Sequence, residues 1–311
     1  MSAADRPRIV VGGEALIDLI IDQAGSVTPA AGGGQYNAAR TIARLGGDVH
    51  FLGRISDDWF GRLLHSKLEA DGVGTELVVD TADPTTLVLA EIDAAGVAHY
   101  HWYIEKTTVP GLEEGDARRA LAPPPDALHV GTLGLAMEPI ADSLAAVVDE
   151  VPAETFVMVD PNCRPTATPD FDRYLERMDR VLARADVVKG SDEDFEYLAL
   201  AETPEASARL LLARGVGAVL VTNGADEARG FCAGGEFAVP VPRVEVMDTV
   251  GAGDTFGGAF LMRWLESGFG REQLADAALL EEATEFAVRA AAINCTRAGA
   301  EPPSRAEMGL E

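Results

Sequence analysis

The chain has 311 residues, with 25 Lys+Arg against 51 Asp+Glu, and so a formal charge of −26. That balance excludes a nucleic-acid or anionic-membrane partner, each of which needs a basic face. Hydrophobic residues are 47% and charged residues 24%, the composition of a globular chain with a sizeable core rather than a disordered one. The length suits one large core with a small appendage as well as it suits two equal halves.

Cys163, Cys232 and Cys295 lie far apart and without CxxC spacing. They read as free thiols in a reducing compartment, not as a disulfide framework or a zinc site. No stretch approaches the ~18 uninterrupted apolar residues of a membrane span, and no signal-peptide pattern opens the chain. A soluble cytoplasmic protein is expected.

Taken in chain order, Ile9–Val11 is a short apolar run, and Ile17–Ile21 alternates about Asp18 as a strand does. Gly32–Gly47 is glycine-rich and then helical, with Ala38, Ile42 and Leu45 on one face. Val49–Leu52 is β-type, and Trp59–Asp71 is a helix with Phe60, Leu63, Leu64 and Leu68 at helical spacing. Thr86–Ile92 and Val97–Ile104 are β-rich and joined by DAAG, which predicts a hairpin. Short apolar strands are expected at Leu128–Val130, Phe156–Val159, Val187–Val188 and Ala218–Val221. Helices are expected around Pro139–Glu150, Phe171–Ala185 and Glu205–Gly215, and Asp254–Gly268 and Glu281–Cys295 close the chain. This alternation predicts a parallel sheet covered on both faces. The β-rich pieces near 17–30 and 86–104 lack helical partners and suit a separate small sheet over one end of a single domain.

The segment richest in chemistry is Val246–Phe260, VMDTVGAGDTFGGAF. Gly251-Ala252-Gly253 precedes a helix, so several backbone N–H groups and the helix dipole converge where an anion would sit. Asp254 falls in the first turn beside that place. A carboxylate there binds phosphate poorly but can accept the proton of a hydroxyl that attacks one. The alternative is that Asp254 only complements the dipole and Gly-Ala-Gly is a tight turn. Neither GxGxxG nor GxxxxGK[ST] is present, since Phe256 stands where the first would need glycine. Asp160, Asn162 and Arg164 follow a buried strand, where ligands bind in open α/β sheets. Arg164 suits a phosphate or carboxylate, or else an Arg–Asp pair that ties down its loop. His99 and His101 share one strand face, but no third metal ligand is evident.

DTVGAGDTF resembles the C-terminal signature of the ribokinase/PfkB family of carbohydrate kinases. GGGQYNAARTIARLGG, at Gly32–Gly47, resembles the same family's first signature, and the two stand in the family's order. FLGRISDDWFG, LHVGTLGLAMEP and VDPNCRP, between them, resemble its intervening segments, so the likeness spans the chain. The resemblance implies a Rossmann-like αβα sandwich with a small β-sheet lid, and transfer of the γ-phosphate of ATP to a sugar hydroxyl. It implies that Asp254 is the base and that Gly251, Ala252 and Gly253 form the anion hole. Asp18, Gly32, Gly33, Gly34, Asn37, Asn162 and Arg164 would meet the sugar; Asn37 could also cap its helix. Ser191, Thr222, Gly224, Gly251 and Gly253 would meet ATP, although Glu227 replaces the last glycine of the nucleotide loop.

Ser191–Asp194 stands where relatives carry NxxE, so Asp194 would organise Mg²⁺ through water. Asp248, Val250, Asn294, Arg297 and Gly299 resemble a monovalent-cation site for K⁺. The uncharged Gly34 and Gln35 favour an unphosphorylated sugar, and the segments look most like those of bacterial fructokinases, which makes D-fructose the expected acceptor. Ile104 departs from the Arg that such members often carry in the lid strand, which keeps ribokinase and 2-keto-3-deoxygluconate kinase activities open. So does a catalytically silent sugar-sensing protein on the same scaffold. Relatives of this kind pair through their lids, so a homodimer is expected.

Overall fold

The computed structural model describes residues 6–21, 24–92 and 98–310. In chain order these form β1 (Arg8–Gly12), β2 (Leu16–Ile21), β3 (Val27–Gly32), α1 (Gly34–Arg44), β4 (Asp48–Ser56), α2 (Trp59–Asp71), β5 (Val78–Thr81), β6 (Leu87–Ile92) and β7 (Ala98–Tyr103). Next come α3 (Glu114–Ala117), β8 (Ala127–Gly131), α4 (Ile140–Glu150), β9 (Phe156–Asp160), α5 (Phe171–Leu182), β10 (Val187–Ser191), α6 (Asp192–Leu198) and α7 (Pro204–Ala213). The hairpin β11 (Ala218–Asn223), β12 (Glu227–Cys232) and β13 (Gly235–Pro240) leads to α8 (Ala252–Glu266) and α9 (Ala277–Cys295).

Nine strands make the main sheet, in the order β13-β12-β11-β10-β9-β8-β1-β4-β5. Strands β11 to β5 of that order run parallel, and their side chains alternate between two buried faces. Ile9 and Val11 of β1 join the core under α1, α2, α8 and α9, while Val10 joins the core under α4, α5 and α7. Each such buried aliphatic side chain contributes roughly 1.5–3 kcal/mol. The expectation of a purely parallel sheet is corrected at one edge: β12 and β13 pair antiparallel to β11.

The second sheet has the order β3-β2-β6-β7. Pro29 lies in β3, an outer strand, where a missing N–H donor is tolerated. The DAAG turn at 93–96 and the side chain of His99 lie outside the described residues. Trp102 Nε1 donates to Thr166 Oγ1 at 3.0 Å and so ties this sheet to the loop that follows β9. Because β1 runs straight into β2, and β3 into α1, the small sheet stands over the carboxyl ends of the large one. None of the cysteines is in a disulfide, and Cys163 is buried with its thiol pushed up to about 12, chiefly by burial. Among the described residues, no helix is long and apolar enough to cross a membrane.

Candidate active site

The site forms where the glycine turn before α8 meets the start of α1. Gly251 caps α8 with φ +74°, and a Cβ there would collide with the Ala300 side chain, so the turn requires glycine twice over. The Ala252 N–H donates to the Thr249 carbonyl at 3.2 Å. That removes Ala252 from the expected anion hole and leaves the amides of Gly251, Gly253 and Asp254 with no acceptor among the described residues. These free donors lie at the positive end of a 15-residue helix, where an anion would be stabilised.

Asp254 stands beside it, on the first turn of α8. Its Oδ2 accepts from Asn37 Nδ2 at 2.9 Å, and its Oδ1 faces Asn162 Nδ2 at 3.4 Å. Burial raises the Asp254 pKa above the usual carboxylate value, against the Asn37 hydrogen bond and the charges of Lys189 and Arg164, which lower it. Asn37 lies inside α1, whose N-cap is Gly33, so its expected capping role is corrected: the amide is spent on Asp254. Its Oδ1 is buried without a partner.

Gly32, Gly33 and Gly34 come next to this carboxylate because β3 ends there. Gly33 has φ +113°, and a Cβ would run into the Glu14 carbonyl. The Gly34 N–H donates to the buried Glu14 carboxylate at 2.6 Å, and the Gly134 N–H reaches its other oxygen at 3.2 Å. Burial pushes Glu14 up to about 8. A Cβ on Gly34 would enter a small hollow bounded by Thr132 Oγ1, Asn162 Nδ2 and Asp254 Oδ1. Thr132 has φ +53° and Asn162 φ +39°, left-handed conformations that cost energy for side chains of this kind. The Asn162 amide reaches both Asp254 Oδ1 and the Thr132 hydroxyl, each at 3.4 Å. Thr132 was missed in the sequence; the only signal was a hydroxyl between the glycines of VGTLG.

Asp18 projects from β2 against Gly32, where a Cβ would overlap its carboxylate. Burial above all, and the charge of Asp254, raise its pKa to about 6 against the charge of Arg164. Arg164 Nη1 donates to the carbonyls of Asn162 and Cys163 at 3.2 and 2.9 Å, which corrects the Arg–Asp alternative. Asp194, expected to organise Mg²⁺ through water, is held by the chain itself. Its oxygens accept from the Ser191 N–H and hydroxyl and from the Cys163 N–H, at 2.7, 2.8 and 2.6 Å. It therefore fixes the DPNCR loop to the start of α6.

On the other side of the glycine turn is a cavity of about 650 Å³. Ser191, Thr222, Gly224, Glu227, Ala252 and Gly253 form its polar rim, and Val244, Val246, Phe256, Val288, Ala291 and Ala292 its apolar part. The polar rim was expected. The apolar part was not, although three residues of the loop PRVEVM are apolar and the alanines of α9 offer a small-residue surface. The cavity has the form of a nucleotide site, with an apolar slot for a base that opens onto an anion site.

Asp248 accepts from the Val250 N–H at 3.0 Å and the Gly299 N–H at 2.8 Å, and Asn294 Nδ2 donates to the Val250 carbonyl at 2.8 Å. Asn294 Oδ1 is buried without a partner, an orphaned acceptor of the kind a monovalent cation satisfies. Arg297 directs its side chain away, to the Glu301 carbonyl and Glu307. No cluster of three acidic, histidine or cysteine ligands occurs among the described residues.

A buried carboxylate beside helix-terminal amides, next to a cavity of about 650 Å³, is an arrangement that suits phosphoryl transfer to an alcohol. Comparison with known proteins agrees. Residues 6–307 match the model of the pfkB family carbohydrate kinases. The chain belongs to that family and is a sugar phosphotransferase of ribokinase-like fold. It is 34% identical to a fructokinase of Rhizobium leguminosarum bv. trifolii over 258 residues, 81% of this chain and 78% of the relative. A fructokinase with bound ATP from Xylella fastidiosa superposes with a TM-score of 0.89 at 28% identity, over 97% of this chain and 96% of that one. A fructokinase double mutant from Vibrio cholerae O395, in a form bound to fructose, ADP and potassium ion, superposes with a TM-score of 0.84 at 26% identity, over 98% of each chain.

Proposed function

We propose that this protein is an ATP-dependent fructokinase that phosphorylates D-fructose at a primary hydroxyl. The observation that carries the reading is the position of Asp254, with one oxygen held by Asn37 and the other turned to the hollow at Gly34. A sugar lying between Asp18 and Asn162 brings a hydroxyl to Oδ1 of Asp254, which the Asn162 amide reaches only at 3.4 Å. The hydroxyl oxygen attacks the γ-phosphorus of ATP, its proton passes to Asp254, and the bond to the β,γ-bridging oxygen breaks to release ADP. The amides of Gly251 and Gly253 hold the phosphoryl oxygens meanwhile. The absence of any lysine from the Gly32–Asn37 segment supports an unphosphorylated acceptor, and the named relatives support fructose. The test is coupled ATP turnover with fructose, ribose and 2-keto-3-deoxygluconate. A higher kcat/KM for either of the last two replaces fructose as the acceptor, and no turnover with any sugar makes the protein a silent sugar binder.

Asp254 must be ionised to accept a proton, so activity is lost as pH falls through its raised pKa. Protonation of Asp18, pushed up to about 6, weakens sugar binding as pH falls through that value. We expect kcat/KM for sugar to drop on the acid side near pH 6, not near the 3.8 of an ordinary aspartate. A profile flat down to pH 4.5 would contradict this.

Mg²⁺ fits as a cation brought by the nucleotide, because Mg²⁺ is commonly held by phosphates with few protein carboxylates. It would supply charge neutralisation on the phosphates. Asp248, Asn294 and the carbonyls near Val250 and Gly299 would hold K⁺ beside the anion turn and stiffen it. Excess EDTA should abolish turnover, and replacing Na⁺ by K⁺ should raise it. Activity that survives EDTA, or is indifferent to K⁺, would remove the respective claim.

We further propose that the small sheet is a lid over the sugar and that its outer face pairs two copies into a cytoplasmic homodimer. Val27 and Tyr103, on the face turned away from Asp18, are 53% and 58% exposed. Light scattering at micromolar concentration should give twice the 32.8 kDa chain mass, and a monomer there would reject the pairing.

A further inference from the structure

Beneath the first two turns of α8, the main sheet carries a row of buried polar side chains on three adjacent strands. His129 of β8, Asp160 of β9 and Lys189 of β10 all face the α8 side, as do Met158 and Val187 two residues before the last two. Polar groups inside a sheet core are costly, and each here is buried. His129 Nδ1 meets the Met158 carbonyl at 3.1 Å, and burial lowers its pKa to about 4, so the ring is neutral. Lys189 Nζ donates to Asp160 Oδ2 at 2.7 Å, and Asp160 Oδ1 has no partner.

Gly253 and Gly257, one turn apart on α8, lie over this row. A Cβ on Gly257 would come to 3.7 Å from His129 Nε2, and one on Gly253 to 3.1 Å from Lys189 Nζ, with no other atom within 4 Å among the described residues apart from its own turn of helix. The missing Cβ of Gly253 therefore lets an ammonium sit against the same residue whose N–H faces the anion site. Although burial works against its charge, Asp160, Asp194 and Asp254 together keep Lys189 protonated.

We propose that Lys189 is a further functional residue of the transfer step: a fixed positive charge under the Gly251–Gly253 turn that stabilises the phosphoryl group as it passes from ATP to the sugar. The inference rests on the kinase reading above. Lys189 neither gives up nor gains a proton. As the bond from the sugar oxygen to phosphorus forms and the bond to ADP breaks, negative charge spreads over the equatorial oxygens, and Lys189 stabilises it from the protein side while the two amides hold it from the helix end. Asp160 holds the ammonium in place and is a positioning residue.

The competing account is that Lys189 only neutralises Asp160. Two variants separate them. Lys189→Met removes the charge and keeps the bulk, and Lys189→Met/Asp160→Asn removes the pair together and leaves no buried unpaired charge. With the best sugar acceptor, both should lower kcat by at least ~30-fold, in line with loss of one oxyanion donor, while KM for sugar changes less than threefold. Both should also weaken inhibition by ADP with aluminium fluoride, a mimic of the transferring phosphoryl, by a similar factor, and leave calorimetric binding of the sugar alone unchanged. If the double variant recovers more than a third of wild-type kcat, or keeps wild-type inhibition by ADP with aluminium fluoride, the pair is structural and the proposal fails. A variant that melts below the assay temperature is replaced by Lys189→Gln, whose amide keeps the bond to Asp160 without the charge, and it is judged by the same thresholds. Wild-type turnover is the separate control: none with any sugar defeats the kinase reading, whereas full turnover with an unaffected variant defeats only the role of Lys189.

Discussion

Asp254→Asn should lower kcat by at least ~10²-fold and leave KM for sugar within about threefold, the pattern of a group that acts mostly in the transition state. The asparagine keeps the shape and can still accept from Asn37 Nδ2 through its oxygen, so the hollow at Gly34 survives. What disappears is the proton acceptor. Asp18→Ala should do the reverse: Asp18 is placed to hold the sugar in ground and transition states alike, so KM for sugar rises while KM for ATP hardly moves. Steady-state kinetics on both folded variants, with Glu227→Ala as a nucleotide-side control, reads the difference. If Asp254→Asn retains more than a tenth of wild-type kcat, Asp254 is not the base.

Gly34→Ala should raise KM for sugar by ~10²-fold or more, although it adds a single methyl group. That methyl would stand in the hollow, 3.1 Å from Asn162 Nδ2 and 3.2 Å from Asp254 Oδ1, and press on the Thr132 hydroxyl. Displacements near 1 Å at a reacting centre cost about 10²-fold. Gly34 is the first residue of α1, where alanine is intrinsically better than glycine by roughly 1 kcal/mol, so the fold should not suffer. The check is sugar binding by calorimetry beside a melting curve. A variant that binds sugar normally would show that the hollow is not the sugar site. A variant that melts many degrees lower would show that Thr132 cannot move aside, which would make the glycine a packing requirement.

What could be read from the sequence was what is written locally. Glycines before a helix, with an aspartate in its first turn, announce an anion site and a base within a dozen residues, and the structure has the turn before α8 in that form. The alternation about Asp18 and the missing helices after Ile17 and Thr86 pointed to a separate sheet for the same reason. Relations between distant segments were not legible. Asn37 reads as a capping residue until α8, 217 positions away, brings Asp254 to it. Lys189 looks like an intruder in an apolar strand, because its partner Asp160 comes from the neighbouring strand. The β12–β13 hairpin was missed because Glu227, Arg229 and Glu236 break the apolar pattern, and an edge hairpin can carry such charges at its surface. The resemblance of Ser191–Asp194 to NxxE points to Mg²⁺ held through water, and only packing reveals that three donors of the chain itself meet Asp194.

The buried Arg40 of α1 has a consequence for synthesis on the ribosome. Its guanidinium binds Asp71, which emerges soon after it, but also the Ala300 carbonyl at 2.8 Å and Glu301 at 3.3 Å, which emerge 260 and 261 positions later. Ala300 is also the residue that packs against Gly251, and Gly299 closes the Asp248 loop. A nascent chain can therefore assemble β1, α1 and the strands around them while Arg40 is only partly compensated. The glycine turn before α8 packs on Ala300, so a chain halted between α8 and that residue lacks both the packing partner of Gly251 and two of the acceptors of Arg40.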